Sequence, residues 1–262
     1  MDNLIDALCA YALAPRPACS EVRALMVSAQ PEHDLEKLVS RVPLSVWQLA
    51  RRSAQAVEQL DIQLVAPWDL PGHLKRVAQP PLALFVRGPA ATLYGSGEAI
   101  VGSRKASPGP IDWAQKQAAK VVAAGHTVIS GGARGIDSKA HQVAWGGGGV
   151  GVVVLGVAVD RVYPASNRPL FSHVLRQGGA VVSEHPPLAS TYSHHHATRN
   201  RLIAGLCSKL WIAEAGEQSG TLHTARAALK LGLPIRVPPH VTGGERAGIE
   251  WLLRQEGNVS VV

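Results

Sequence analysis

Four stretches of the chain hold the residues whose types and spacing suit them to chemistry. "GSRKAS" (102–107) sets Gly102, Ser103, Arg104 and Lys105 in one short run. Bare amides at a glycine turn, joined by a guanidinium, make a cradle for phosphate. "SGGARGID" (130–137) brings Ser130, Gly131, Gly132 and Gly135, which let backbone come close to a ligand, with Arg134 beside a helix start. Ser219-Gly220-Thr221 opens another helix and offers amides and two hydroxyls at its positive end. "HHHATRNR" (194–201) supplies His195, His196, Arg199, Asn200 and Arg201, the arginines being permanently charged and shaped for bidentate phosphate contact. Each stretch alone is weak, because glycine turns end many strands for steric reasons. Several of them in a chain of net charge +7 point to an anion site.

Other chemistries fit less well. A dinucleotide fingerprint, GxGxxG after the first strand, is missing from "GSRKAS", and no GxxxxGK[ST] phosphate loop occurs. The tetraglycine 146–149 precedes a strand and reads as a helix-to-strand turn. Three consecutive histidines in an extended loop point in different directions with no cysteine or carboxylate cluster beside them, so a metal site is not expected. Neither is a cofactor.

The elements that must position these loops are legible in the hydrophobic pattern. From about residue 98, apolar runs of strand length recur at 98–103, 126–132, 150–156, 180–184, 209–215 and 234–239. Segments rich in Ala, Lys and Gln separate most of them. Near-continuous hydrophobic strands alternating with helices predict a mostly parallel sheet covered on both faces, an extended Rossmann-like, doubly wound α/β fold. In such a sheet the loops after the strands gather along one edge, where ligands bind. Residues 1–60, with Leu, Ala and Val at three- and four-residue spacing, predict a small module of three or four helices, one beginning near Val46 with Ser45 as its cap. This gives two units, 1–60 and 61–262. The second unit opens with a proline-bearing connector (65–89) whose "LALFV" (82–86) reads as an edge strand leading into the main domain.

At 262 residues, 46% hydrophobic and 17% charged, the chain has a globular composition. Cys9, Cys19 and Cys207 are few and widely spaced, as expected of reduced thiols in a cytoplasmic protein. Acids precede any base at the N-terminus, unlike a secretory signal, and the longest apolar run, "GVGVVVLGVAV" (149–159), is too short and glycine-rich to span a bilayer.

"AIVGSRKAS", "VISGGARGIDSKAH", "LGVAVDRVYPASN", "VVSEHPP", "RNRLIAGL" and "EAGEQSGTLHTARAALKLG" together resemble, in order and approximate spacing, the DprA/Smf family of DNA-processing proteins of natural transformation. The resemblance covers about 62–260, "GIEWLLRQEGNVSVV" matching the closing helix and strand; residues 1–60 sit where the family often carries a SAM-like module. It implies a protein without catalysis that binds single-stranded DNA, forms a homodimer and loads the RecA recombinase. Carried over by motif, Gly102-Ser103-Arg104 with Lys105, the glycine loop from Ser130 to Gly135, Asn167, His195, His196, Arg199-Asn200-Arg201 and Ser219-Gly220-Thr221 form the DNA pocket. Two departures stand out. The family usually has His-Phe-Pro before "RNR", its aromatic stacking on a base; here His196 offers a smaller π face and Tyr192 is the substitute. Many members also continue into a winged-helix domain, whereas this sequence stops near the last strand.

Two alternatives belong to other classes. One is a LOG-type nucleoside-monophosphate phosphoribohydrolase, although "GTLHT" (220–224) has His223 and Thr224 where that family has "GTxxE", and Glu184 and Glu214 read as structural. The other is an interaction module that kept the fold and lost DNA affinity. On the DNA-binding reading, Arg104→Ala or Arg199→Ala weakens binding to oligo-dT several-fold without lowering thermal stability.

Overall fold

A computed structural model describes residues 4–14, 19–239 and 244–262. The first four helices are α1 (Leu4–Leu13), α2 (Cys19–Val27), α3 (Pro31–Val39) and α4 (Leu44–Gln59). They are followed by β1 (Ile62–Val65), α5 (Gly72–Arg76), β2 (Leu84–Arg87), β3 (Gly97–Val101), α6 (Pro108–Ala123), β4 (Thr127–Ser130) and α7 (Ile136–Gly146). Next come β5 (Gly151–Leu155), α8 (Arg168–Arg176), β6 (Ala180–Ser183), α9 (His195–Thr198), α10 (Asn200–Leu206) and β7 (Lys209–Ile212). The chain closes with α11 (Thr221–Lys230), β8 (Ile235–Val237), α12 (Ala247–Leu253) and β9 (Val259–Val261).

All nine strands form one sheet in the order β1-β2-β6-β5-β4-β3-β7-β8-β9. The seven from β6 to β9 pair in parallel, and all six expected strands are among them. Side chains alternate between faces along each strand. Ala99, Val101, Ile129, Val152 and Leu210 enter a core beneath α10, α11 and α12, whereas Ile100, Val128 and Trp211 pack against α6 and α7. Burial on both sides is what the uninterrupted Val/Ile/Leu runs required.

"LALFV" is not an edge. β2 lies inside the sheet, antiparallel to both β1 and β6, and Leu84, Phe85 and Val86 are fully buried. Pro80 and Pro81 precede the ladder and so cost it no hydrogen bond. The edge is β1, a four-residue strand too short to stand out against the helix before it. The cap of α4 also differs: the helix starts at Leu44 after Pro43, whose carbonyl accepts the Val46 amide at 2.9 Å, so Ser45 lies within the first turn. The tetraglycine does end α7, and a Cβ on Gly149 would lie 2.7 Å from Val122.

The N-terminal helices bury Leu8, Leu25, Leu35, Val39 and Val57 together with Ile62 and Phe85 of the antiparallel strands. Ser53 of α4 also donates to the Pro187 carbonyl at 2.7 Å.

Candidate nucleic-acid interface

The chain leaves β3 to build β4, β5 and β6 on one side, then returns to place β7 on the other. The switch point therefore lies between β3 and β7, where doubly wound sheets open a crevice at the strands' carboxyl ends. A cavity of about 840 Å³ occupies it, lined by Gly102–Arg104 after β3 and Gly216–Thr221 after β7. A second cavity of about 270 Å³ adjoins it, sharing Arg104, Ala133, His196 and Arg199, and adds Lys105, Gly131, Arg134 and Tyr163. The two form one trough.

Glycine brings the loops together here. Gly135, at φ +77°, lies so close to the preceding loop that a Cβ would meet the Ser103 carbonyl oxygen at 2.3 Å. A Cβ on Gly131 would sit 2.7 Å from both the Arg199 guanidinium and the Asp137 carboxylate. These glycines serve close approach between loops.

The expected residues fall into distinct groups. Arg104, Lys105 and Arg134 are exposed around the smaller cavity, and none takes part in an ion pair among the described residues. Gly102, Ser103, Asn200, Ser219, Gly220 and Thr221 line the larger one. A third group is scaffold. Ser130 is fully buried and donates to the Ile100 carbonyl at 2.6 Å, while Asn167 donates to the Gly132 carbonyl at 2.9 Å. Gly132 itself is packed against Val153 and Phe171.

Arg199 touches both cavities yet is only 6% exposed. Its guanidinium donates to the carbonyls of Gly131 (2.9 Å) and Val154 and to the Asn200 side chain (3.1 Å). Asp137, which the sequence reading did not single out, accepts the Ala133 amide at 3.3 Å and faces Arg199. Burial draws the guanidinium down to about 10, with Asp137 opposing, so it stays a cation at neutral pH. Burial likewise lifts Asp137 above the ordinary carboxylate range against the pull of Arg199. This geometry overturns one expectation: removing Arg199 strips a buried polar node, so thermal stability must fall.

His195 and Arg201 lie elsewhere. Arg201 binds Glu184 through both terminal nitrogens, at 2.8 and 2.5 Å, and its Nε donates to the Gln79 carbonyl at 2.6 Å. The ring of His195 stacks on His185 at 4.1 Å. Both residues line a separate cavity beside α1 and α2, and Tyr192 lies there too, away from the cationic trough. The histidines start a short helix, α9, in place of an extended loop; the His194 and His195 rings meet edge to face at 4.5 Å, while His196 turns away to stack on Tyr163.

The stacking aromatic of the trough is Tyr163. It is 48% exposed, lines the smaller cavity and stacks on His196 with centroids 4.8 Å apart. Burial, then Arg199 and Arg104, hold the His196 imidazole below its ordinary pKa, so it is neutral at pH 7. "VYPASN" carried the signal, a tyrosine in a loop after a parallel strand, but only the fold sets it against His196.

Fold and site together define a class: doubly wound α/β proteins with an amide-rich trough at the switch point, cationic in its smaller basin, where planar groups and an anion could sit side by side. The chain belongs to the DNA recombination-mediator protein A family, whose model matches residues 63–261. It is 36% identical to the protein Smf of Escherichia coli over 194 residues, covering 74% of this chain and 49% of that one. The chain spans about half the length of the first curated relatives it matches. The fold is shared with DNA processing protein A (DprA) of Streptococcus pneumoniae, at a TM-score of 0.76 and 24% identity over 97% of this chain and 92% of that chain. DprA of Helicobacter pylori, solved to describe its single-stranded DNA binding mode, aligns with a TM-score of 0.67 and 25% identity, covering 76% of this chain and 90% of that one. Among the described residues, no helix is long and apolar enough to cross a membrane.

Proposed function

We propose that this chain binds single-stranded DNA in the trough and, as a homodimer in the cytoplasm, hands the strand to a RecA-type recombinase without catalysis or cofactor. One observation carries the reading: three exposed cations that form no ion pair among the described residues surround a cavity whose wall includes a stacked tyrosine–histidine pair. Arg104, Lys105 and Arg134 neutralise phosphates, while a base rests on the face of Tyr163. Stacking requires a base free of its partner, so the geometry favours single strands over duplex. The H. pylori relative's bound class and the family's description as a recombination mediator support the same reading. Residues 1–60 act as a helical unit docked on the DNA-binding unit 61–262.

Fluorescence anisotropy with oligo-dT at two salt concentrations tests the trough. Arg104→Ala weakens binding several-fold and reduces the log–log salt slope by about 0.7, the share of one phosphate. Unchanged affinity removes the trough from consideration. Assembly of RecA filaments on strands coated with single-strand-binding protein tests the mediator step. Release of free base from AMP or GMP by the purified chain replaces this reading with the hydrolase.

A further inference from the structure

A second cationic groove leaves the large cavity and follows α11. His223 lines the large cavity and also a further cavity of about 250 Å³, whose wall includes Arg76, Arg201, Arg226 and Lys230 and, among the described residues, no acidic one. His223, Arg226 and Lys230 occupy the exposed face of α11, at positions i, i+3 and i+7, while Leu222, Ala225 and Ala228 occupy its buried face. They form a stripe that runs about 10 Å away from the trough. Arg76 reaches the far end from α5, its guanidinium 3.5 Å from the Leu231 carbonyl.

These charges are uncompensated. Arg201 is held by Glu184, but no ion pair among the described residues engages Arg76, Arg226 or Lys230. The helix dipole accounts for Lys230, in the last turn, and leaves the rest unexplained: Arg226 stands a turn earlier and Arg76 belongs to another helix. The Arg226 guanidinium lies over the Trp251 ring at 4.9 Å, a contact that fixes its plane and keeps its in-plane N–H donors available.

We infer that this groove is a second phosphate-binding stretch, which takes the phosphodiester backbone of a single strand as it leaves the trough and tracks it along α11 toward α5. The inference rests on the proposed binding of single strands and adds an exit path to it. Apart from the His223 imidazole where it joins the large cavity, no aromatic ring among the described residues lines the groove, so it recognises backbone and leaves bases in water. It therefore matters only for strands long enough to reach it.

Anisotropy on the full chain, with oligo-dT of about 6 and about 20 nucleotides, separates the two sites. Arg226→Glu/Lys230→Glu lowers affinity for the long strand about tenfold or more and leaves the short strand within twofold, and the salt slope on the long strand drops by about 1.4, for two phosphates. Arg76→Glu, on a different helix, shows the same length dependence and guards against misfolding of the double variant. Arg51→Glu/Arg52→Glu, an equal charge change on α4, moves neither strand. Equal weakening of both strands, or of neither, by the α11 variant while Arg104→Ala still weakens both overturns the groove and spares the trough. If Arg104→Ala affects neither strand, the trough itself fails. Binding of an acidic peptide lost in the α11 variant, with long-strand affinity intact, reassigns the groove to a protein partner and overturns the inference.

Discussion

Arg199→Ala is the most decisive substitution, because its expected effect reverses between a surface contact and a buried node. The guanidinium sits between the ends of β4 and β5, hydrogen-bonded to Gly131 and Val154, with Asp137 against it. Truncation leaves two carbonyls without their donor and a buried carboxylate without its counter-charge. Each buried acceptor left without its donor costs about 1–3 kcal/mol, so the orphaned node as a whole costs about 3–5 kcal/mol. For a chain of this size each kcal/mol lowers Tm by about 2–4 °C, so the midpoint falls by roughly 6–20 °C. Thermal melts followed by circular dichroism, beside Arg104→Ala as a solvent-exposed control, provide the measurement. Asp137→Asn in the Arg199→Ala background restores part of the loss, since it removes the stranded charge. A midpoint within a degree or two of the wild type would refute the account of Arg199 as a node, and an additive double variant would refute its coupling to Asp137.

Tyr163→Ala weakens oligo-dT binding by about 1–3 kcal/mol, the worth of one stacked base, whereas Tyr192→Ala leaves it unchanged; equal effects in anisotropy contradict the platform. Gly135→Ala, forced to φ +77° with a Cβ 2.3 Å from the Ser103 oxygen, lowers stability by about 2 kcal/mol or more and weakens DNA binding in step, read from urea unfolding and anisotropy. His141 is fully buried, and burial depresses its pKa from 6.5 to about 4. The unfolded chain therefore binds the extra proton between those values, and stability present above pH 6.5 is lost as pH falls toward 4, by about 2 kcal/mol between pH 7 and pH 5. Urea midpoints of His141→Leu that keep the wild-type pH dependence over that window exclude this source.

Periodicity reveals the parallel strands because burial on both faces demands an unbroken run, and "VGVVVLG" can hardly be anything else. It does not reveal β1, where "IQLV" directly follows a helix and only the pairing with β2 makes it a strand. The loops were legible as polar and cationic, and Arg104, Lys105 and Arg134 do share one cavity. Residue type could not say that two nearby arginines are both engaged within the protein. Arg199 and Arg201 are two residues apart, yet one fills the gap over Gly131 and the other meets Glu184. Asp137 and Tyr163 escaped for the same reason: their partners are distant in sequence and adjacent only in the folded chain.

Arg199 and Asn200 are consecutive, but they reach in different directions. The arginine grips the ends of β4 and β5, while the Asn200 amide donates to the Gly220 carbonyl at 2.9 Å, in the turn that opens α11. One dipeptide thus fastens the two basins of the trough to each other. On the proposed binding of single strands, their spacing is set before any strand arrives, so a nucleotide seated in one basin fixes which nucleotide falls in the next, and little ordering is left to be done on binding. On that reading the protein is a ruler already cut to length.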